Sequence, residues 1–263
     1  MRIAPFVVLV LSLFTFVLPS VGLAYEASMP NLIAPSTLKW GQMEFAIHHR
    51  FLGRIDNIPG DTFFGIQEGA NIGLGLRLPM KLTGLEVKGG WLRSRSEYTL
   101  GVSYGRQIGK APVSAQADLQ FADYEIDGTT SRKCNFFYVI SLQTKPIWGR
   151  LQPCFDVGYD YLNRHTGIGA GLAFRVNGRI TLYGEYFPSM ENGSRKHLDW
   201  RGEGPEDFFD FGVRIETYGH HFFLMLSDGN VVGTKYLMLG PTPFVNRTEY
   251  LYFGFNIERL LQF

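Results

Sequence analysis

Apolar and polar residues alternate with a period of two along almost the whole chain beyond residue 41. Successive side chains of a strand point to opposite faces, so this alternation is typical of strands with one apolar face. Turn residues interrupt it at regular intervals, as they do between antiparallel strands joined by hairpins. No segment with helical periodicity is long enough to predict a helix. The chain is therefore predicted to be all-β.

The alternating segments predict about twelve antiparallel strands, within a range of about 10–14. Most have about nine to twelve residues, which suits a tilted strand that crosses a bilayer. The predicted strands lie near 42–52, 70–79, 85–93, 97–108, 113–125, 133–143, 150–161, 165–176, 180–188, 207–217, 219–227 and 248–260.

The connections between the predicted strands are sorted by length. The long ones, at 53–69, 189–206 and 228–247, all follow odd-numbered strands and therefore lie at one end of the meander. Every connection at the other end is short. Outer-membrane barrels show this asymmetry, with short periplasmic turns and longer external loops. The connections thus predict a membrane barrel whose termini lie on the periplasmic side.

The two faces of each strand differ in a way that indicates which face meets lipid. In the second predicted strand Leu74 lies on an apolar face and Gly75 on the opposite one, and the eighth strand repeats this with Leu172 and Gly171. Small residues suit a crowded interior better than a solvated exterior. We therefore predict a single up-and-down antiparallel transmembrane β-barrel over residues 42–263, in preference to a soluble, lipocalin-like barrel.

Aromatic residues gather near the ends of the predicted strands, where their rings would lie at the level of the lipid headgroups. They include Trp91, Tyr98, Tyr159, Tyr161, Tyr186, Phe187 and Tyr250. The chain also ends in an amphipathic strand whose last residue is Phe263. A C-terminal aromatic residue on such a strand resembles the assembly signal of Gram-negative outer-membrane proteins, which predicts that barrel-assembly machinery is a partner.

The first 24 residues have the layout of a secretory signal peptide. Arg2 supplies a positive start, an apolar stretch follows, and small residues precede the expected cleavage after Ala24. The apolar stretch from Ile3 to Leu18 is shorter than the ~20 residues that a spanning helix needs. Residues 25–41 are predicted to be an irregular periplasmic lead-in. Export through this signal predicts the bacterial outer membrane as the location, with its lipid as a partner.

If the apolar faces meet lipid, the charged residues of the opposite faces line the lumen. Both signs of charge occur there, and charges inside a barrel are costly unless they are paired or hydrated. Neutralising pairs are therefore the first expectation, and a narrow polar passage or a small polar binding site is the functional one. The candidate lumen-lining residues are Glu44, His48, Arg50, Arg77, Glu86, Lys88, Asp118, Asp156, Asp160, Arg175, Glu185, Asp210, Arg214, Glu216 and Glu258.

The sequence favours neither nucleic-acid binding nor cofactor chemistry. A formal net charge of +1 lacks the basic footprint of a nucleic-acid partner. His48 and His49 are adjacent in a strand and point to opposite faces, so they cannot chelate one metal ion. No HExxH or GxSxG motif occurs. We predict no metal, no cofactor and no catalytic residue, although an enzyme is not ruled out.

Cys134 and Cys154 are predicted to be free thiols. Cys134 is in phase with the apolar face of its strand, and Cys154 is in phase with the polar face that carries Asp156. Side chains on opposite faces of a sheet cannot form a disulfide.

Several local motifs resemble an uncharacterised family of outer-membrane β-barrel proteins. The similarity begins in the segment Phe45–Phe51 and continues through Gly69–Leu74, with Phe64-Gly65-Ile66 between them. The segments 93–105 and 107–115 and the closing stretch Phe253–Arg259 fit as well. Leu52 departs from the pattern, because the family places glycine directly after the phenylalanine. The resemblance implies fold and location, but no activity and no catalytic residues.

Three classes of function are compatible with these features. The first is a narrow porin-like or solute-binding barrel with a charged lumen, which would take a small polar solute. The second is an outer-membrane enzyme that acts on lipid or peptide. The third is a surface-interaction barrel whose long external loops bind a partner. The charged residues on the predicted lumen face favour the first.

Overall fold

A computed structural model describes residues 29–33, 35, 37–55, 69–82, 84–108, 111–126, 129–190, 207–239 and 251–263. The predicted signal peptide lies outside the described residues, as do the first residues of the predicted lead-in and Tyr250. Much of each long connection lies outside them too. No helix within the described ranges is long and apolar enough to cross a membrane.

Twelve strands form one closed antiparallel barrel in which neighbours in sequence are neighbours in space. The barrel closes where the first strand pairs with the last, for example Phe45 with Arg259. The strands are β1 (Gln42–Arg54), β2 (Ala70–Pro79), β3 (Leu85–Leu92), β4 (Glu97–Ile108), β5 (Ala111–Ile126), β6 (Thr129–Gln143), β7 (Leu151–Asp160), β8 (His165–Arg175), β9 (Ile180–Phe187), β10 (Phe208–Thr217), β11 (His220–Ser227) and β12 (Tyr252–Gln262).

The predicted number and order of strands are confirmed. The longest connections, 55–69, 188–207 and 228–251, join successive strands at one end of the barrel. We call this the long-loop end, and the opposite end, which holds both ends of the strand array, the short-turn end. One helix, α1 (Thr234–Met238), interrupts the connection between β11 and β12.

The apolar faces of the strands point outward. Leu172 and Phe174 of β8 are 47% and 40% exposed, whereas Ala173 between them is buried. The two cysteines are free and lie on opposite sides of the wall, with Cys134 exposed and Cys154 buried. An all-round apolar exterior with polar groups inside is the arrangement of a membrane barrel.

The interior is occupied by two chain segments. The N-terminal segment, described at residues 29–33, 35 and 37–41, contains neither helix nor strand and runs inside the barrel with Met29, Leu32 and Leu38 buried. The α1 segment, residues 228–239, folds inward from the long-loop end and buries Leu237 and Met238. The sequence predicted an irregular periplasmic lead-in at residues 25–41 and a long external connection at 228–247 for these two stretches.

The apolar side chains of the two segments pack mainly against one side of the lumen. Met29, Leu32, Leu237 and Met238 pack in one apolar cluster with inward side chains of β6, β7, β8, β9, β10 and β11. Phe187 belongs to this cluster and is fully buried, so its predicted place in the headgroup girdle is wrong. It lies on the inward face of β9, in phase with the other buried residues of that strand.

The glycines of β8 make this packing possible. A Cβ added to Gly169 would lie 2.6 Å from Leu32 Cδ2, and one added to Gly171 would lie 2.6 Å from Leu32 Cδ1. A Cβ at Gly167 would collide with Met238. Because any side chain at these positions would push the inner segments away, the glycine face of β8 fixes where the two segments lie.

Candidate functional site

A row of charged side chains crosses the inner face of β1 to β5. Glu44 is directly opposite Arg77, Arg77 is opposite Lys88, Lys88 is opposite Gly101, and Gly101 is opposite Asp118. Directly opposed residues of neighbouring strands are close enough for their side chains to interact. The register therefore brings four of the predicted lumen residues together at one level of the barrel.

Arg77, the second residue of this row, is held by two carboxylates. Its Nη1 lies 3.2 Å from Glu44 Oε1, and its Nη2 lies 3.0 Å from Glu86 Oε2. Glu86 also accepts hydrogen bonds from Ser103 Oγ and from the Leu38 backbone N–H of the N-terminal segment. Since a buried guanidinium is costly without compensation, these carboxylates account for its presence in the interior.

Lys88 and Asp118 are joined through one amide. Lys88 Nζ donates to Gln116 Oε1, and Gln116 Nε2 donates to Asp118 Oδ2 at 2.7 Å. The carboxylate of Asp118 lies against Gly101, and a Cβ added to Gly101 would collide with this carboxylate. The second oxygen, Asp118 Oδ1, is buried and has no hydrogen-bond partner among the described residues.

Small residues occupy the next level of the same wall. Ala46 is opposite Gly75, Gly75 is opposite Gly90, and Gly90 is opposite Thr99. A Cβ added to Gly75 would touch only Ala46 Cβ, at 3.5 Å. The missing side chains leave a cavity of about 280 Å³ between this wall and the two inner segments. The charged row lines the same cavity.

The α1 segment covers the cavity on the side of the long-loop end. Lys235 Nζ lies 2.7 Å from Glu97 Oε2 at the start of β4, and Tyr236 donates its hydroxyl to the same oxygen. Both Lys235 and Tyr236 line the cavity, together with Thr234 and Val232. This buried ion pair ties the α1 segment to the wall above the row of small residues.

A second polar group holds the N-terminal segment, with Asn31 at its centre. Asn31 Nδ2 donates to Glu185 Oε2 at 2.8 Å and also to Asp210 Oδ2, while Arg50 Nη2 donates to Asn31 Oδ1 at 2.9 Å. The backbone N–H groups of Asn31 and Leu32 both donate to Glu185 Oε1, at 3.1 and 2.8 Å.

Other strand residues extend this attachment. The Ile33 N–H donates to Asp156 Oδ2 at 2.7 Å, and Asn256 Nδ2 donates to the Pro30 carbonyl at 2.9 Å. Thr234 of the α1 segment donates its hydroxyl to the Asn31 carbonyl. Carboxylates and amides of the barrel wall thus supply hydrogen-bond partners for the buried backbone of the N-terminal segment, which forms neither helix nor strand.

The remaining predicted lumen residues take part in neither group of contacts, although His48 and Glu258 line the same cavity. Arg214 donates to Glu216 and to Thr181 Oγ1 near the short-turn end, and Glu258 Oε2 lies 3.8 Å from His221 Nδ1. Asp160 is buried near the long-loop end, where Asn135 and Asn163 donate to it. His48 lines the cavity wall, and Arg175 is partly exposed at the end of β8.

Several residues that take part in these contacts were not among the lumen residues predicted from the sequence. Glu97 is in phase with Thr99 and Gly101 on β4, opposite the outward Tyr98, so the alternation could have identified it. Asn31 and Lys235 lie in stretches without alternation and therefore carried no such signal. Within the described ranges no group of three or more His, Cys, Asp or Glu side chains is placed to hold a metal ion.

The structure is similar to solved outer-membrane barrels of low sequence identity. The COG4313 outer membrane channel from Pseudomonas putida F1 is 10% identical, with a TM-score of 0.52, and the match covers 90% of this chain and 100% of that chain. The KdgM porin is 7% identical, with a TM-score of 0.50, and the match covers 83% of this chain and 98% of that chain. Identities this low show a shared fold only.

No curated protein matches the sequence. A family model described as a membrane bound beta barrel domain (DUF5777) matches residues 123–261, which is more than half of the chain. The match runs from β5 to β12, and it confirms the suspected relation to an uncharacterised barrel family. The chain therefore belongs to the family of the membrane bound beta barrel domain DUF5777 and has the fold of an outer-membrane β-barrel.

Proposed function

We propose that this protein is a narrow, porin-like or solute-binding barrel of the bacterial outer membrane. The observation that carries the proposal is the uneven filling of the lumen. On the side of β6 to β11 the inner segments pack against an apolar wall, whereas on the side of β1 to β5 a cavity of about 280 Å³ remains, which is lined by the charged row and by apolar side chains. That size is close to the lower end of small-molecule pockets, which begins at roughly 300 Å³. A small polar solute would fit.

The fifteen predicted lumen residues have different parts in this proposal. Glu44, Arg77, Lys88 and Asp118 would contact the solute, and Glu86 would hold Arg77 in place. Arg50, Asp156, Glu185 and Asp210 would hold the N-terminal segment that narrows the lumen. The alternatives of an enzyme acting on lipid or peptide, and of a surface-interaction barrel, gain no comparable observation within the described part of the chain.

The proposal includes the orientation of the barrel in the outer membrane and the way in which the chain is exported and inserted. The long-loop end would face outward from the cell and the short-turn end would face the periplasm, as in other outer-membrane barrels. Residues 1–24 would direct export and be removed. Barrel-assembly machinery would then insert the chain among the outer-membrane lipids, with Phe263 as its recognition signal.

Filling the cavity should block the passage. We expect the Gly90→Leu variant to lose most of the single-channel conductance of the refolded protein in planar bilayers. The new side chain would occupy the space between Ala46, Gly75 and Thr99, where a Cβ at residue 90 meets Thr99 Cβ at 3.5 Å. The backbone imposes no obstacle, because Gly90 does not have a positive φ.

The neighbouring residue provides the matched control. Gly89 faces outward, and a Cβ added there meets nothing within 4 Å. The Gly89→Leu variant should therefore conduct like the unmodified protein. Equal conductance of the Gly89→Leu and Gly90→Leu variants, with both folded, would contradict the proposed passage.

Deleting Phe263 should lower the amount of assembled barrel in the membrane while leaving the stability of the inserted barrel nearly unchanged. The Phe263 ring is 80% exposed, so little packing is lost. Its backbone N–H donates to the Gly41 carbonyl at 2.9 Å, which is a single terminal hydrogen bond. Heat-modifiable gel migration of outer-membrane fractions measures assembly. Normal assembly after the deletion, or a defect of equal size in Phe263→Tyr, would show that the terminal aromatic residue is not the signal.

A further inference from the structure

We infer that the cavity takes small zwitterionic solutes, which carry an ammonium and a carboxylate group, as amino acids do. This inference rests on the proposed function and names the class of solute for the same site. The carboxylate would bind Lys88 and the ammonium would bind Asp118 Oδ1. Both residues line the cavity, both belong to the charged row, and they lie on either side of Gly101.

The side chain of Gln116 shows which hydrogen-bonding groups fit between Lys88 and Asp118: an acceptor next to the lysine and a donor next to the aspartate. Its amide oxygen accepts from Lys88 Nζ, and its amide nitrogen donates to Asp118 Oδ2. A zwitterion offers the same two functions in the same order, with an acceptor toward the lysine and a donor toward the aspartate. Full charges make these bonds stronger than those of a neutral amide.

Binding capacity remains on both charged groups. An ammonium group has three N–H donors, and Gln116 is the one acceptor that Lys88 has within the described structure. Asp118 Oδ1 is buried without a hydrogen-bond partner among the described residues. A buried carboxylate oxygen without a donor is costly, so a ligand that supplies one is stabilised.

Solutes with a single charge fit less well. An anion would bind Lys88 but would bring like charge toward Asp118, and Glu44 and Glu86 already surround Arg77 in the same row. A cation would bind Asp118 but would face Lys88. A neutral solute would leave both charged groups with weaker partners. Only a solute with both charges satisfies both ends.

The missing side chain at Gly101 allows a solute to lie beside both charges. Gly101 lies between Lys88 and Asp118, and a Cβ there would collide with the Asp118 carboxylate. The wall of Ala46, Gly75 and Gly90 then leaves room next to the two charges. The site therefore combines two fixed opposite charges with free volume beside them.

The test compares osmotic swelling of proteoliposomes in alanine, lactamide and sodium lactate. These solutes are similar in size and are zwitterionic, neutral and anionic at neutral pH. The unmodified barrel should admit alanine faster than the other two. In Lys88→Met and in Asp118→Asn, the ratio of alanine to lactamide rates should fall about tenfold, the effect of losing one charge-assisted hydrogen bond. Lys145→Met, an exposed lysine outside the barrel, should keep the original ratio.

The outcomes separate the inference from the proposed function. If lactamide or lactate enters as fast as alanine, the passage exists and the zwitterion inference is overturned. If no solute enters, the passage is overturned, and equilibrium dialysis of labelled alanine against the micellar protein decides the binding site. Binding that is lost in Lys88→Met supports the inference, and no binding overturns it.

A double variant tests whether the site needs one charge of each sign, whatever their order. Exchanging the two charges, with Lys88→Asp and Asp118→Lys together, keeps the net charge and reverses the order of the groups. A zwitterion can turn around, so alanine preference should recover in part relative to either single variant. Heat-modifiable migration shows whether each variant is folded. A folded double variant that admits lactate in preference to alanine would overturn the inference.

Discussion

Replacing Asn31 with alanine should raise the conductance of the barrel severalfold. The Asn31 side chain contacts Glu185, Asp210 and Arg50 at once. Its removal leaves three buried polar groups with a missing partner, at about 1–3 kcal/mol for each one left unsatisfied. The hydrogen bonds between the strands do not involve this side chain. The N-terminal segment should therefore loosen while the barrel stays closed.

Single-channel recordings of the refolded variant measure this effect. Asn177→Ala is the matched control, because Asn177 accepts hydrogen bonds from the Arg179 and Ile180 backbone in an exposed turn away from the lumen. Its conductance should match that of the unmodified protein. Unchanged conductance in a folded Asn31→Ala variant would show that Asn31 does not hold the segment that narrows the lumen.

Replacing Leu74 with arginine should destabilise the inserted barrel by ~2–4 kcal/mol if the residue lies near the middle of the bilayer. Leu74 is on the outward face of β2 and is 36% exposed. An arginine there must place its charge in lipid. Gly75→Ser should cost well under ~1 kcal/mol, because a Cβ at Gly75 meets only Ala46 and the charged row lines the neighbouring cavity.

Unfolding of the two variants in lipid vesicles by denaturant gives both values on one scale. A soluble barrel would give the same order, because Leu74 would then be part of a core and Gly75 would be at the surface, so the dependence of folding on lipid separates the two kinds of barrel. Equal destabilisation by Leu74→Arg and Gly75→Ser would mean that neither face of β2 contacts lipid.

The strands could be predicted from the sequence because one physical rule governs them. In β2 and β8 an outward apolar residue alternates with an inward small or polar one, so the period-two pattern identifies both the strand and its faces. The same phase separated Cys134 from Cys154 correctly. The length of the connections identified the long-loop end without any knowledge of the interior.

The period-two pattern could not predict which chain segments fill the lumen. The N-terminal and α1 segments have no regular periodicity, and their positions depend on packing against distant strands, such as Leu32 against Gly169. One strand of the barrel did carry a sequence signal for the apolar segments inside. The run Phe136–Ile140 of β6 is apolar at every position, and Phe137 and Val139 are buried inside the barrel. A strand that is apolar on both faces indicates an apolar partner inside.

The candidate site was predicted in part. Alternation alone assigned Glu44, Arg77, Lys88 and Asp118 to one face, but it did not show that they share one level. That depends on the register between five strands, which the turns and the full set of hydrogen bonds determine. The contribution of Glu97 and Lys235 depends on the fold of the α1 segment.

The orientation of the strand faces is the claim on which every functional inference here depends, and spin labels at residues 74 and 75 test it most directly. Each label is attached to a single cysteine in a protein whose two native cysteines are replaced by serine, and accessibility is measured in lipid vesicles. The label at residue 74 should be accessible to oxygen dissolved in the bilayer and shielded from a water-soluble nickel complex. The label at residue 75 should show the reverse. Oxygen accessibility at residue 75 together with nickel accessibility at residue 74 would contradict the membrane barrel and the lumen assignments derived from it.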